Sequence, residues 1–316
     1  MTGTVPVLIV TGPTASGKSA LAADVAERFG GVVINADSMQ IYRGLKILSS
    51  APDEAMRARA PHRLYGILDP AEPCSAGHWR ALAVAEIERA HGAGLLPVVV
   101  GGTGLYLRAL MSGIARMPPV PRPIRERVRA RLAGAGSHAL HDELRRRDPA
   151  TAARLPPGDS QRIARALEVL EATGRSLTKW QGGASPADSD GFRFVTCLLL
   201  PPREEVYRAC DDRFAGMLRS GALDEVRWLA ERGLDPALPA VKALGVPDLM
   251  RYLAGEIPLD EARRRGQQAT RRYVKRQMTW FRHQIIADYA IESQYNEQER
   301  DKIFSFITGS GLTGPG

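Results

Sequence analysis

The sequence predicts an α/β fold, in which helices flank a parallel sheet and an all-helical insertion interrupts it. A short apolar run at residues 7–10 precedes a glycine-rich loop and then apolar residues four apart, which is the order strand, loop, helix. Similar apolar runs recur at 32–34, 95–100 and 192–200, and each is short enough to be a buried strand. Between 116 and 190 no strand pattern occurs. The prediction rests on these three observations.

The glycine-rich loop at residues 12–19 reads GPTASGKS and fits the phosphate-binding pattern G-x-x-x-x-G-K-[ST]. Its glycines let backbone N–H groups approach phosphate oxygens, and the N-terminus of the next helix adds a positive dipole end. We expect Lys18 to hold the terminal phosphates and the Ser19 hydroxyl to ligate Mg²⁺. The core is therefore expected to be P-loop NTPase-like. The flanking strand and helix disfavour a chance match, but the loop does not identify the molecule or the reaction.

Two polar residues follow the next two strands. Asp37 comes just after the strand at 32–34, and Thr103 lies in the glycine turn after the strand at 95–100. Both are expected at the carboxyl edge of the sheet, where open parallel sheets bind ligands. Asp37 is either a helix N-cap or outer Mg²⁺ ligand, or a general base placed opposite the phosphates. Thr103 either caps the next helix or directs its hydroxyl at a leaving group.

The remaining elements follow from apolar periodicity and from helix breakers. Residues 44–78 are expected to be irregular because they contain four prolines. Helices are predicted at 75–90, 105–111, 123–133, 138–147, 149–154, 159–173, 203–218, 221–232, 245–253 and 259–288. A flexible return is expected at 182–190 and a disordered end after Gly309. The domain organisation predicted is a core of residues 1–115 and 191–316, with the insertion at 116–190.

Composition excludes several classes of protein. The chain has 316 residues, 44% of them hydrophobic, which is ordinary for a globular protein of one large or two smaller domains. It has no run of eighteen apolar residues and no basic signal region, so we expect a cytoplasmic location and no membrane association. Three widely spaced cysteines, Cys74, Cys197 and Cys210, exclude a disulfide framework and a C-x-x-C metal site.

Charge is concentrated in two segments. The net charge is +8 and the pI about 9.7. Residues 116–181 hold 14 basic and 7 acidic residues, and 261–282 hold 8 basic and 1 acidic. A GC-rich genome would explain the excess of arginine over lysine, but not this local imbalance. The pattern indicates a polyanionic partner.

Three blocks carry a resemblance to a known family. They are residues 12–19, Asn-Ala-Asp-Ser-Met-Gln-Ile-Tyr-Arg at 35–43 and Gly-Gly-Thr-Gly-Leu-Tyr at 101–106. Together they resemble the tRNA isopentenyltransferases, also called tRNA dimethylallyltransferases or the IPP transferase family. The similarity continues at 159–169, within 213–226 and at the motif 275–282, and it spans about residues 6–285. The first block alone occurs also in kinases; the other two distinguish this family.

The resemblance implies transfer of the dimethylallyl group from dimethylallyl diphosphate to N6 of adenosine 37 in tRNA, with release of diphosphate. An exocyclic amine is a poor nucleophile, so the family role of Asp37 is that of general base. Thr103 then lies at the reacting centre, and Arg213 and Mg²⁺ stabilise the leaving charge. Diphosphate binding is carried over to Gly12, Thr14, Ala15, Ser16, Gly17, Lys18 and Ser19.

The resemblance also implies the tRNA contacts, with the anticodon stem-loop held partly by the insertion. They are Asp37, Ser38, Met39, Gln40, Thr103, Arg125, Gln161, Arg162, Arg165, Lys242, Lys275, Arg276, Gln277 and Trp280. For Trp280, an equal alternative is that the side chain anchors the core. For any one arginine of the insertion, an equal alternative is a solvated surface charge. The target adenine is expected to leave the base stack, and the enzyme to be a monomer.

The sequence departs from the family at three places, and other functions remain alternatives. Residues 45–52 replace a Thr-Ala-Lys segment, residues 245–247 read Gly-Val-Pro where an aromatic and a basic residue are common, and Ala209 stands in place of an arginine. A P-loop small-molecule kinase is one alternative, although no [NT]-K-x-D motif or arginine lid is present. An isopentenyltransferase acting on free AMP is another, but it would need neither the insertion nor the basic helix. A nonenzymatic RNA-binding protein would leave Lys18, Asp37 and Thr103 without a role.

Overall fold

The computed structural model describes residues 4–115, 117–182 and 191–312. The chain divides into two compact units. The first comprises Met1–Met111 and Asp190–Gly316, and the second is Ser112–Ser189. Most of the predicted flexible return, residues 183–190, and the end of the tail, residues 313–316, lie outside the described residues.

The first unit contains a six-stranded sheet. Its strands are β1 Val5–Thr11, β2 Gly31–Asn35, β3 His62–Arg63, β4 Leu96–Gly101, β5 Phe192–Leu199 and β6 Tyr289–Ile291. Their spatial order is β3-β2-β4-β1-β5-β6, and every neighbouring pair is parallel. The predicted parallel α/β core is confirmed.

β1 and β4 lie at the centre of this sheet, as their unbroken apolar runs require. Leu8 pairs with Val98 and Val10 with Val100, and all four side chains are buried. Strands buried on both faces lose alternation of polar and apolar residues, which is why these runs are continuous. Because the strands are parallel, their carboxyl ends meet at one edge of the sheet, where the loops after β1, β2 and β4 begin.

Nine helices of the first unit are described. They are α1 Lys18–Phe29, α2 Glu54–Arg59, α3 Ala76–Gly92, α4 Gly104–Ser112, α9 Arg203–Arg219, α10 Ala222–Glu231, α11 Val246–Leu253, α12 Leu259–Gln284 and α13 Glu297–Gly309. The sequence prediction was wrong at two places. α2 and β3 lie in the stretch expected to be irregular, and the chain leaves α12 at Gln284 and forms β6 and α13.

The physical reason is length and local geometry. β3 has two residues and β6 three, too few to show a period of two. Ile285 is already extended, at φ −112° and ψ 126°, so α12 ends before the predicted residue 288. These strands exist because the sheet edge supplies hydrogen-bond partners, which local sequence does not encode.

The second unit is helical throughout its described residues. It contains α5 Arg122–Arg147, α6 Pro149–Ala152, α7 Ser160–Thr173 and α8 Leu177–Gln181. α5 is interrupted at Gly136, whose φ of 77° is left-handed, so the two predicted helices meet at a kink rather than at a loop. Val128, Leu140, Leu144 and Leu167 belong to a buried apolar core within the second unit. This unit therefore has an independent apolar interior.

Candidate active site at the carboxyl edge of the sheet

The phosphate loop joins β1 to α1 and has the backbone that the motif requires. Gly12, Ala15 and Gly17 have φ values of 156°, 62° and 89°. A Cβ at position 12 would lie 2.4 Å from the carbonyl oxygen of Leu199, so only glycine fits there. α1 begins at Lys18, and the N–H groups of its first turn have no partner within the helix. The loop is therefore built as an anion cradle.

Two cations lie at this cradle, and burial has removed part of their hydration. Burial lowers the pKa of Lys18 to about 8, opposed by the Asp37 carboxylate and assisted by Arg213. Its ammonium donates to the carbonyl of Pro13 at 3.1 Å. Burial also lowers the pKa of Arg213, on α9, while Cys210 and Asp37 act in the opposite direction. Two desolvated cations of like charge require an anion to compensate them.

Two further polar atoms at the cradle are without partners. The Arg213 Nε and the Ser16 Oγ are buried, and neither has a hydrogen-bond partner among the described residues. Buried polar groups are nearly always satisfied, and exceptions mark places where a ligand completes the structure. The orphaned atoms and the two cations together indicate a bound polyanion such as a diphosphate.

Asp37 sits in a tight turn after β2. Its N–H donates to the Asn35 Oδ1 at 2.8 Å, and its own Oδ1 accepts from the N–H of Met39 at 2.8 Å. Asn35 is fully buried and is held by the Trp79 indole, which donates to its carbonyl at 2.8 Å. Residues 38–40 form turns and not a helix, so the N-cap alternative for Asp37 is wrong. The Oδ2 has no hydrogen-bond partner within the described ranges and is free to accept a proton.

Thr103 is brought against this turn by the loop after β4. Its Oγ1 accepts from the N–H of Ser38 at 3.0 Å and donates to the Ser38 Oγ at 3.3 Å. A Cβ at Gly101 would lie 2.2 Å from the carbonyl of Ala36, so the two loops touch at their backbones. The structure thus places Asp37 and Thr103 in adjoining loops of one sheet edge.

Sequence reasoning missed the part that α12 plays in the core. Gln277, predicted as a tRNA contact, is 5% exposed. Its Oε1 accepts from the N–H of Thr14 at 3.0 Å, and its Nε2 donates to the carbonyl of Gly102 at 2.9 Å. It joins the phosphate loop to the turn that carries Thr103 and does not lie on a surface. The motif at 275–282 was the available signal, but it does not show which loops the glutamine meets.

Tyr273 and Trp280 also lie on α12, and the sequence did not predict which residues they contact. The Tyr273 hydroxyl lies beside Thr103 and Gln277, and burial raises its pKa, with the Asp37 carboxylate adding to the effect. Trp280 is half-buried, and a Cβ at Gly104 would lie 2.5 Å from its indole. Trp280 therefore packs on the first residue of α4 while part of its side chain stays exposed, so both alternatives for it remain predictions.

The other predicted tRNA contacts fall into two groups. In the first unit Lys242, Lys275 and Arg276 are exposed, while Ser38, Met39 and Gln40 are half-buried beside Asp37. In the second unit Arg125, Gln161 and Arg162 are exposed and Arg165 is half-buried. The Arg162 Nε lies 3.4 Å from the Asp159 Oδ2, and the Arg165 Nη1 lies 3.4 Å from the Glu168 Oε2. Their guanidinium groups are surface-accessible, as contact with a phosphate backbone requires.

The donor set around Ser19 fits a metal carried by the substrate better than a dedicated protein site. Ser19 is half-buried in the first turn of α1. No group of three or more His, Cys, Asp or Glu side chains that could hold a metal occurs in the described part of the chain. Mg²⁺ commonly takes one or two protein oxygens, phosphate oxygens and waters, so a single hydroxyl suits it.

The three cysteines are unpaired, and no described helix is long and apolar enough to cross a bilayer.

Two protein-family models and a curated relative match most of the chain. A family model described as IPP transferase matches residues 40–284, and one described as isopentenyl transferase matches residues 5–69. A relative from Rhodospirillum centenum named tRNA dimethylallyltransferase is 58% identical over 287 residues, 91% of either chain.

Solved structures show the same architecture. The full-length tRNA isopentenylpyrophosphate transferase from Bacillus halodurans has 32% identity and a TM-score of 0.70, with 96% of both chains covered. A eukaryotic dimethylallyltransferase, described as acting on tRNA, has 26% identity and a TM-score of 0.80, covering 97% of this chain and 80% of that one.

Proposed function

The chain belongs to the IPP transferase family and is a tRNA prenyltransferase, and we propose that its sheet-edge site transfers the dimethylallyl group of dimethylallyl diphosphate to N6 of adenosine 37. The observation that carries this proposal is the arrangement of an anion-binding loop and a carboxylate at one sheet edge. Buried, unpartnered donors at the phosphate loop lie in the electrostatic field of Asp37, a carboxylate with a free oxygen. An anion site and a base side by side suit displacement at carbon with a phosphate leaving group.

In this mechanism the N6 lone pair attacks C1 of the allyl group, and the C1–O bond to the diphosphate breaks. The Asp37 Oδ2 accepts the proton that N6 loses. Lys18, Arg213 and the N–H groups at the start of α1 receive the growing negative charge of the diphosphate. Because these donors are already in place and partly dehydrated, they stabilise the transition state without reorganisation.

Ser19 and Thr103 have supporting roles. The Ser19 hydroxyl would hold Mg²⁺, which would supply positive charge that neutralises part of the charge of the leaving diphosphate. The Thr103 hydroxyl is engaged with both the N–H and the hydroxyl of Ser38. It therefore fixes the Asp37–Ser38 turn, and with it the approach of the amine, rather than binding the leaving oxygen.

The acceptor is the anticodon stem-loop of tRNA, bound by a monomer in the cytoplasm. The exposed side chains of Arg125, Gln161 and Arg162 in the second unit, and of Lys275 and Arg276 on α12, support backbone contacts. The adenine must leave its stack to reach Asp37. Binding through phosphates releases counterions, so affinity for the stem-loop should fall steeply with salt.

One assay separates the candidate reactions. The protein is incubated with Mg²⁺, labelled dimethylallyl diphosphate and either an anticodon stem-loop containing A36-A37-A38 or AMP. We expect label only on the stem-loop RNA, at A37. Label on AMP alone would contradict the tRNA proposal, and transfer of the γ-phosphate from ATP to a small molecule would favour a kinase.

A further inference from the structure

The chain beyond α12 returns to the sheet and then to the phosphate loop. β6 pairs with β5, where the N–H of Leu200 donates to the carbonyl of Ile291 at 2.7 Å. Residues 292–296 then lead into α13. This segment lies outside both family matches, which end at residues 284 and 69. The two family models therefore do not cover this segment.

Residues 294 and 295 of this segment grip the phosphate loop. The N–H of Tyr295 donates to the carbonyl of Ser16 at 3.2 Å, and the Gln294 Nε2 donates to the carbonyl of Ala15 at 3.3 Å. A Cβ at Gly17 would lie 2.7 Å from the Tyr295 Cβ, so the tyrosine is packed directly on this glycine. These contacts form a small clasp, consisting of Gln294 and Tyr295.

The clasp is anchored to α1 as well. The Tyr295 hydroxyl donates to the carboxylate of Asp24, and Arg59 from α2 joins Asp24 to Glu27. Burial raises the pKa of Tyr295, with the Asp24 carboxylate adding to it, so the phenol remains a donor. The clasp is thereby fixed relative to the helix whose N-terminus faces the anion.

Binding of the Ser16 carbonyl sets the direction of the next N–H group, that of Gly17, whereas the N–H after the Ala15 carbonyl, that of Ser16, donates within the loop to the carbonyl of Pro13 at 3.3 Å. The C=O of one residue and the N–H of the next belong to one trans planar peptide and point in opposite directions. With the carbonyl of Ser16 turned toward Tyr295, the N–H of Gly17 is directed away from the clasp, at the start of α1. Ala15 is a non-glycine residue at a φ of 62°, a strained conformation that needs support from its surroundings.

We propose that Gln294 and Tyr295 are positioning residues for the diphosphate, and that the C-terminal segment is part of the donor site. They touch neither the allyl group nor the acceptor. They act by holding Ala15 and Ser16 so that the cradle is formed before the ligand arrives. The inference rests on the proposed function for the identity of the ligand, but the orienting effect applies to any diphosphate.

The test compares Gln294→Met with Gln298→Met, an exposed glutamine of α13. Methionine keeps the length of the side chain but cannot donate to Ala15. Calorimetry with Mg²⁺ and inorganic diphosphate should show affinity about 3- to 10-fold weaker for Gln294→Met, as expected for one hydrogen bond, and unchanged for Gln298→Met. The KM for dimethylallyl diphosphate should rise by a similar factor, with stem-loop affinity and Tm unchanged.

A second pair of variants tests the tyrosine. Tyr295→Ala keeps the Cβ that packs on Gly17 but removes the whole ring with its hydroxyl, so it should weaken diphosphate binding more than Tyr295→Phe, which loses only the bond to Asp24. Diphosphate affinity equal to wild type in both Gln294→Met and Tyr295→Ala would overturn the proposal. So would parallel loss of diphosphate and stem-loop binding, which would indicate a general effect on folding. Wild-type protein that binds diphosphate but prenylates no RNA would contradict the proposed function and leave this comparison valid.

Discussion

The loops after β1 and β2 meet at one sheet edge but differ in how their polar groups are paired. The phosphate loop is held from outside by residues distant in sequence, Gln277 and the clasp, and its inner side retains unpartnered donors. The Asp37 loop is held by its own residues and by neighbouring loops, and most of its polar groups are paired. Asn35 and Thr103 bind its start, and the Gln40 Nε2 donates to the carbonyls of Ser49 and Ser50 at 2.9 and 3.0 Å.

A further contact, from α10, closes the second loop. The Glu225 Oε1 accepts from the N–H of Ile47 at 2.8 Å, and its Oε2 from that of Leu48 at 2.9 Å. The phosphate loop is the prenyl-donor end of the site and the Asp37 loop is the acceptor end. The difference teaches that the prenyl-donor end is preorganised around a charge that a ligand must supply, since its own N–H and O–H groups lack partners. At the acceptor end, the hydrogen bonds among the described residues leave one oxygen of the Asp37 carboxylate without a partner. Changes at the two ends should therefore have different kinetic signatures.

The largest effect is expected for Asp37→Asn. The amide keeps the turn through its carbonyl oxygen but cannot take the proton from N6, so prenyl transfer should fall by about 10²- to 10⁴-fold. Single-turnover transfer measures this loss, and stem-loop and diphosphate affinity serve as its controls. If RNA binding fell as far as transfer did, Asp37 would be a structural residue and the contrast between the ends would fail.

Arg213→Met should come next. Removing a preorganised donor from the leaving group should reduce transfer by about 10²- to 10³-fold while RNA affinity is unchanged. Arg208→Met, at an exposed arginine of the same helix, is the matched control. Equal transfer rates in the two variants would mean that Arg213 does not contact the diphosphate.

The pH dependence of diphosphate binding tests the preorganised charge itself. With the pKa of Lys18 lowered to about 8, the ammonium is charged below pH 8 and progressively neutral above it. A polyanion prefers the charged form, so affinity should fall as pH rises through 8, by up to about tenfold per pH unit. The ratio of wild type to Lys18→Arg, measured by calorimetry, cancels the titration of the ligand. A ratio that stays constant from pH 7 to 9.5 would contradict the assignment.

The smallest effect is expected for Glu225→Gln at the acceptor end. The amide retains one acceptor oxygen and loses the other, so we expect about a 3- to 10-fold rise in KM for the stem-loop, with diphosphate affinity unchanged. Glu231→Gln, exposed on the same helix, should behave as wild type. A raised KM for dimethylallyl diphosphate instead would show that the two loops are not independent.

The sequence predicted those parts of the molecule that local patterns encode. The strand, phosphate loop and first helix were predictable because Gly12, Lys18 and the apolar run before them are local signals. β3 and β6 were not, because two or three residues have no measurable periodicity and depend on a neighbouring strand. The sheet-edge position of Asp37 followed from topology. The roles of Gln277 and Glu225 did not, since both act across more than 170 residues of chain.

Gln277 has a consequence for engineering. Its single amide spans two backbone groups, the N–H of Thr14 and the carbonyl of Gly102, at 3.0 and 2.9 Å. A Cβ at Gly102 would lie 2.4 Å from its Nε2, so there is no slack for a longer side chain or a shifted turn. A graft of a foreign phosphate loop must therefore bring the matching glycine turn and α12 with it, because the three segments behave as one exchangeable module.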